Sequence, residues 1–87
     1  MNNLEKLAIV KFFDFEDCSH GKLTVKNGVL YRQTTPIAIH MGQFIYLNVD
    51  TYSKVVSVVQ DKVANFKSHY LIKNVNADEI VSYIPKN

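Results

Sequence analysis

Four residues of this 87-residue chain have side chains suited to soft-metal or nucleophilic chemistry: Cys18, His20, His40 and His69. A thiolate and neutral imidazoles hold zinc when they come in closely spaced pairs. Only Cys18 and His20 lie near each other, and no second pair follows, so neither a metal site nor a cofactor is expected. As a nucleophile Cys18 is poorly placed, because Asp14, Glu16 and Asp17 precede it and their charge disfavours the thiolate. An exposed, inert cysteine is the expectation. The same three carboxylates are the right types for paired acid–base work, but nothing brings a substrate to them, and they read as a solvated loop. No phosphate loop is present, and an enzyme is the least favoured class.

A second chemistry is nucleic-acid contact. Tyr31, Phe44 and Tyr46 on strands, with Lys22, Lys26 and Arg32 nearby, are the ingredients of a stacking sheet with phosphate contacts. Against it stand the absence of an RNP-like motif and a weak charge bias. Ten Lys and Arg against eight Asp and Glu give +2, with the signs mixed along the chain. A nucleic-acid-binding accessory protein using Lys22, Lys26, Arg32 and Tyr46 is therefore the alternative reading.

The elements that must position these residues follow from period and turn chemistry. Apolar residues at 47 % and charged residues at 21 % fit a folded chain, and the length suits one domain over residues 1–87. In KLTVKNGVLYRQ, Asn27-Gly28 separates two alternating runs and predicts a type I′ hairpin that sets Val25 opposite Leu30 and Lys26 opposite Val29. Leu23, Val25 and Leu30 then share one face, and Thr24, Val29 and Tyr31 the other. PIAIHM and QFIYLN form a second hairpin around Gly42-Gln43, where glycine suits a type II′ turn, with Pro36 opening the strand. It places Ile37, Ile39, Met41, Phe44 and Tyr46 on one face and Ala38, His40, Ile45 and Leu47 on the other. Both faces are apolar enough for the sheet to be covered on both sides.

After Thr51 or Ser53 as cap, Tyr52, Val55, Val56, Val59, Val63 and Phe66 form one stripe at the helical period. HYLIKNV reads as a strand. Asn76, Asp78 and Glu79 open a short helix with Ile80, Val81 and Ile84 on its apolar face, ended by Pro85. The N-terminal segment has two readings. Asn2 three residues before Glu5 suggests a capping box, with Leu4, Leu7, Ala8 and Phe15 on one helical face. The density of β-branched and aromatic residues in AIVKFFDF favours a strand carrying Leu7, Ile9, Phe13 and Phe15 on one side, and the strand is preferred. DFEDCSHG reads as a polar loop. The expected fold is α+β: a small antiparallel β-meander packed against one principal α-helix, with a short C-terminal strand and helix.

VLYRQTTPIA followed by FIYLNVDTYSKVVSVVQ resembles a family of short uncharacterised proteins of bacteriophages and prophages, with a pattern near L-Y-S-Y-x-T-P-I-A, a variable turn, and Y-I-N-x-x-x-Y-S-x-T-T-S-K-H-Q. The matching residues are Leu30, Tyr31, Thr35, Pro36, Ile37, Ala38, Tyr46, Asn48, Tyr52, Ser53, Ser57 and Gln60. Where the pattern has two threonines, a lysine and a histidine, this chain has Val55, Val56, Val58 and Val59. The resemblance implies a viral origin and the core of three strands followed by a helix; it implies no activity.

Val58 lies off the centre of the helix stripe, with Val55 and Lys62 on the same flank, and apolar groups at a helix margin serve as partner surfaces. The competing reading is that the N-terminal segment covers them. Tyr31, Tyr52, Val55, Val58 and Lys62 are the candidate partner-binding residues. The expected function is a phage-type protein-binding module that occupies a surface of a host protein as an inhibitor or modulator, in the manner of anti-CRISPR proteins. A homo-oligomer through the valine-rich helix is a further expectation. The single cysteine, the lack of a signal-like opening and the short apolar runs point to a cytoplasm, the host's if the protein is viral, and to no membrane.

Overall fold

The computed structural model describes residues 2–85. The chain runs α1 (Asn3–Phe13), β1 (Cys18–His20), β2 (Leu23–Lys26), β3 (Val29–Arg32), β4 (Thr35–Met41), β5 (Phe44–Asn48), α2 (Lys54–Ala64), β6 (Leu71–Val75) and α3 (Ala77–Tyr83). All six strands form one sheet in sequence order. The first five pair antiparallel, and β6 adds parallel to β5 after the α2 crossover. This is the α+β architecture expected from the sequence.

The Asn27-Gly28 hairpin forms as its residues dictate: φ is 52° and 79°, and Val25 pairs with Leu30 and Lys26 with Val29. Gly42 opens the next tight turn at φ 65°, with Met41 paired to Phe44. Leu23, Val25, Leu30, Ala38, Ile45 and Leu47 point to the face covered by α1 and α2, and Val29, Ile39, Tyr31, Met41 and Tyr46 to the face covered by α3. Ile37 departs from the alternation. Tyr31 pairs with Pro36 and Leu30 with Ala38, so Ile37 is the extra residue of a β-bulge and joins Ala38 in the α1–α2 core instead of lying beside Ile39.

Residues 3–13 are a helix, not the preferred strand. Asn2 Oδ1 accepts the Glu5 N–H at 2.8 Å, and Leu, Glu, Lys and Ala in the first turns are strong helix formers. The buried residues are Ala8, Ile9, Phe12 and Phe13, two i, i+4 pairs that no extended strand could place together. Leu4, Leu7 and Phe15, assigned to the apolar face in the helical reading, are exposed. The helix ends in a Schellman motif, with Glu16 N–H donating to Lys11 O at 2.9 Å, Phe15 N–H to Phe12 O at 3.1 Å, and Phe15 at φ 59°. The expected polar loop 14–21 contains β1: Cys18–His20 pairs with Leu23–Val25 as a short edge strand, whose polar residues hide the strand pattern.

On α2, Ser53 is the cap, and the buried stripe is Val56, Val59 and Val63, narrower than expected. Val55 is exposed, and Tyr52 precedes the helix. Phe66 packs onto the core by stacking on Phe13 at 4.1 Å. On α3, Asn76 caps Glu79 N–H at 2.7 Å; Ile80 is buried, Ile84 packs beside it, and Val81 faces out. Among the described residues no helix is long and apolar enough to cross a membrane.

Candidate functional site

The two helices on the first face lie side by side with a groove between them. Near their first turns Glu5, Lys54, Val55, Val58 and Val59 enclose a hollow of about 280 Å³. Further along, Lys6, Ile9, Val10, Lys62 and Phe66 enclose a second of about 190 Å³. The helices meet at the far end, where Phe13 stacks on Phe66. Val10, Val55 and Val58 keep 41 %, 53 % and 37 % of their surface in solvent, so the N-terminal segment lies beside the two α2 valines without covering them.

The sequence-derived candidates divide accordingly. Val55, Val58 and Lys62 line the groove. Tyr52 stands at the entrance to α2, and its hydroxyl accepts from Asn48 Nδ2 at 3.0 Å. Tyr31 is on the opposite face of the sheet with Tyr46 and Tyr83, separated from the other four. Glu5, Lys6, Ile9 and Val10 join the groove only because their segment is a helix and not the preferred strand; the Asn2–Glu5 spacing is the signal in the sequence that points to it.

The nucleic-acid set does not converge. Lys22 and Arg32 sit at one end of the β2–β3 hairpin, where Gln33 N–H donates to Lys22 O, and Lys26 sits at the other. Tyr46 packs edge-on against Tyr83 at 4.9 Å and carries the Lys73 ammonium over its ring at 5.4 Å, which removes it as an open stacking platform. Phe44 neighbours it at 6.3 Å.

The chemistry-bearing residues are equally dispersed. Cys18 is half-buried against the core, not exposed, and burial pushes its thiol pKa up, with Asp17 and Glu16 adding to the rise while the Val25 backbone and Lys11 oppose it. Asp17 accepts from Asn27 N–H at 3.1 Å, Glu16 pairs with Lys11 at 3.2 Å, and Asp14 ends α1. His20 closes β1, and His69 stacks on Tyr70. His40 is ringed by Phe12, Phe15 and Tyr70 at 4.6, 5.0 and 4.9 Å. Its Nε2 stands 2.6 Å from Phe12 O; a carbonyl only accepts, so that nitrogen carries the proton. Burial lowers the His40 pKa, and the Phe12 hydrogen bond opposes the shift. Among the described residues no three His, Cys, Asp or Glu side chains gather as a metal set.

The orientation of α2, and so of the groove, is held by one polar network. Asn48 is fully buried; its Nδ2 donates to Pro36 O at 2.9 Å and to Tyr52 Oη, and its Oδ1 accepts from Asp50 N–H at 3.0 Å. Gln60 reaches back from α2 to Asn48 O at 2.8 Å and Asp50 O at 3.0 Å. Asp50 also accepts from Ala77 N–H at 3.0 Å, tying the start of α3 to the same loop. Asn48, Tyr52, Ser53 and Gln60 thus all serve the β5–α2 connection. No family model, curated protein or solved structure matches the chain.

Proposed function

We propose that the protein is a small binding module that occupies a surface of another protein through the α1–α2 groove. The observation that carries this reading is the pair Val55 and Val58, held on α2 and left in solvent at the first hollow, with Val10 exposed at the second. Exposing branched aliphatics along the two hollows of one groove has a solvation cost that a folded monomer gains nothing from, and such margins are where partners dock. The phage-type resemblance supplies the context: a host protein as target, in the host cytoplasm, blocked or modulated by steric occupation in the anti-CRISPR manner. Affinity then comes from a few aliphatic anchors, Val55 and Val58 first. The spread of Lys22, Lys26 and Arg32 over both ends of one hairpin weighs against the nucleic-acid alternative, although Lys26 and Tyr31 line one hollow together.

The test is capture from bacterial host lysate with the tagged chain, washed at low and at high salt, with and without nuclease. A host protein retained at high salt and after nuclease supports the reading. Retention only at low salt, abolished by nuclease, moves the assignment to nucleic acid, whose contacts weaken steeply with salt.

A further inference from the structure

The groove has a charge as well as a shape. Lys6, Lys54 and Lys62 line it and are exposed, and the one carboxylate among its lining residues, Glu5, is engaged by the Lys22 N–H at 3.2 Å. Among the described residues the ion pair is Lys11–Glu16, outside the groove, so the three groove lysines have no carboxylate within salt-bridge distance. Three lysines against one carboxylate make +2, which is the formal charge of the whole chain. The remainder of the molecule is balanced, and its positive excess sits around an aliphatic floor.

Resting on the protein-binding reading, we propose that the groove between α1 and α2 takes an acidic amphipathic helix of the partner protein. The secondary structure of the occupant follows from the walls. Both are helices whose backbone groups are bonded internally, so an extended peptide would find no ladder of donors and acceptors there, whereas a helix satisfies its own backbone and needs only side-chain packing. Each wall is 11 residues long, about 16 Å at the helical rise, enough for about three turns of a third helix lying against both. Val10, Val55, Val58 and Val59 meet apolar positions at i, i+3, i+4 and i+7, and the lysines meet acidic residues on the flanks. A second copy of this chain is the poorer occupant, because a symmetric face-to-face contact would bring lysines against lysines. Nucleic acid is poorer still, since the walls are mainly aliphatic and the aromatic among the lining residues, Phe66, is half-buried with its ring stacked on Phe13.

A displayed library of helical peptides, each about four turns long, selected on the intact protein provides the probe. Enriched peptides should carry the i, i+3, i+4, i+7 apolar pattern with Asp or Glu on the flanks, and should shift the methyl resonances of Val55 and Val58. Val58→Asp, and separately Lys6→Glu with Lys62→Glu, should each weaken binding at least about tenfold, equivalent to about 1.4 kcal/mol. A peptide with its flanking acids changed to Lys should regain affinity for the double lysine variant only. Circular dichroism confirms that each variant is folded, and Val58→Ser gives a milder version. Enrichment of basic or uncharged peptides, or mapping outside the groove, overturns the proposal, as does a library that yields no binder. Binding to phosphatidylglycerol vesicles that Val58→Asp abolishes, with no peptide enriched, would reassign the face to anionic membrane. If lysate capture retains a partner that contacts another face, the protein-binding reading survives and the acidic-helix inference alone falls.

Discussion

His40 and Gly28 show how single residues are constrained around the end of α1. His40 donates to Phe12 O from within an aromatic ring, and its folded-state pKa lies below the ordinary 6.5 because burial penalises the cation. As pH falls, the unfolded chain takes up this proton first. The contribution of neutral His40 is therefore intact above about pH 6.5 and is lost progressively below it. Urea titrations on either side of that pH should show a lower midpoint on the acid side, and His40→Phe should flatten the difference. Gly28 has φ 79°, and a Cβ there would stand 3.0 Å from the Phe15 ring. Gly28→Ala should cost about 1–2 kcal/mol from the backbone alone, and more from the ring. Thermal unfolding in a Phe15→Ala background isolates the second part: the cost of Gly28→Ala should shrink there. Phe15 itself holds a left-handed backbone at the end of α1 where glycine is usual, and its ring rests beside His40 and Gly28.

Among the elements, the β5–α2 connection matters most, because it aims the valine helix. Asn48→Ala would leave Pro36 O and Asp50 N–H without the bonds Asn48 now makes, at about 1–3 kcal/mol for each group left buried and unpaired. A urea midpoint lowered well beyond that of Ser53→Ala, whose cap bond is a long 3.4 Å, is the expected outcome. Asn27-Gly28, the faces it sets and the Asn76 cap were legible in the sequence, since each rests on chemistry within a few residues. The N-terminal helix was not: its β-branched and aromatic content argued locally for a strand, and only packing of Ala8, Ile9, Phe12 and Phe13 on the sheet settles it. The Ile37 bulge was equally hidden, because alternation assumes an unbroken ladder and the extra residue is set by pairing with β3. Half of the groove was lost with α1, while Val55 and Val58 were visible as apolar residues off the stripe.

At the scale of the molecule, the sheet is covered on both faces, but unevenly. On one face α3 packs through Ile80, Tyr83 and Ile84; on the other, α1 and α2 leave a basic-rimmed groove. Like charges across any symmetric contact of that groove predict a monomer, and sedimentation equilibrium at low salt should give a mass near 10.0 kDa. Val81 supplies the internal control for the binding account: it is 54 % exposed on α3, on the far side of the sheet, against 37 % for Val58. Capture of the lysate partner should therefore be compared for Val58→Asp and Val81→Asp, both confirmed folded. Val81→Asp should retain the partner at high salt and Val58→Asp should lose it; retention by both, or loss by Val81→Asp alone, would contradict the assignment of the groove as the binding surface.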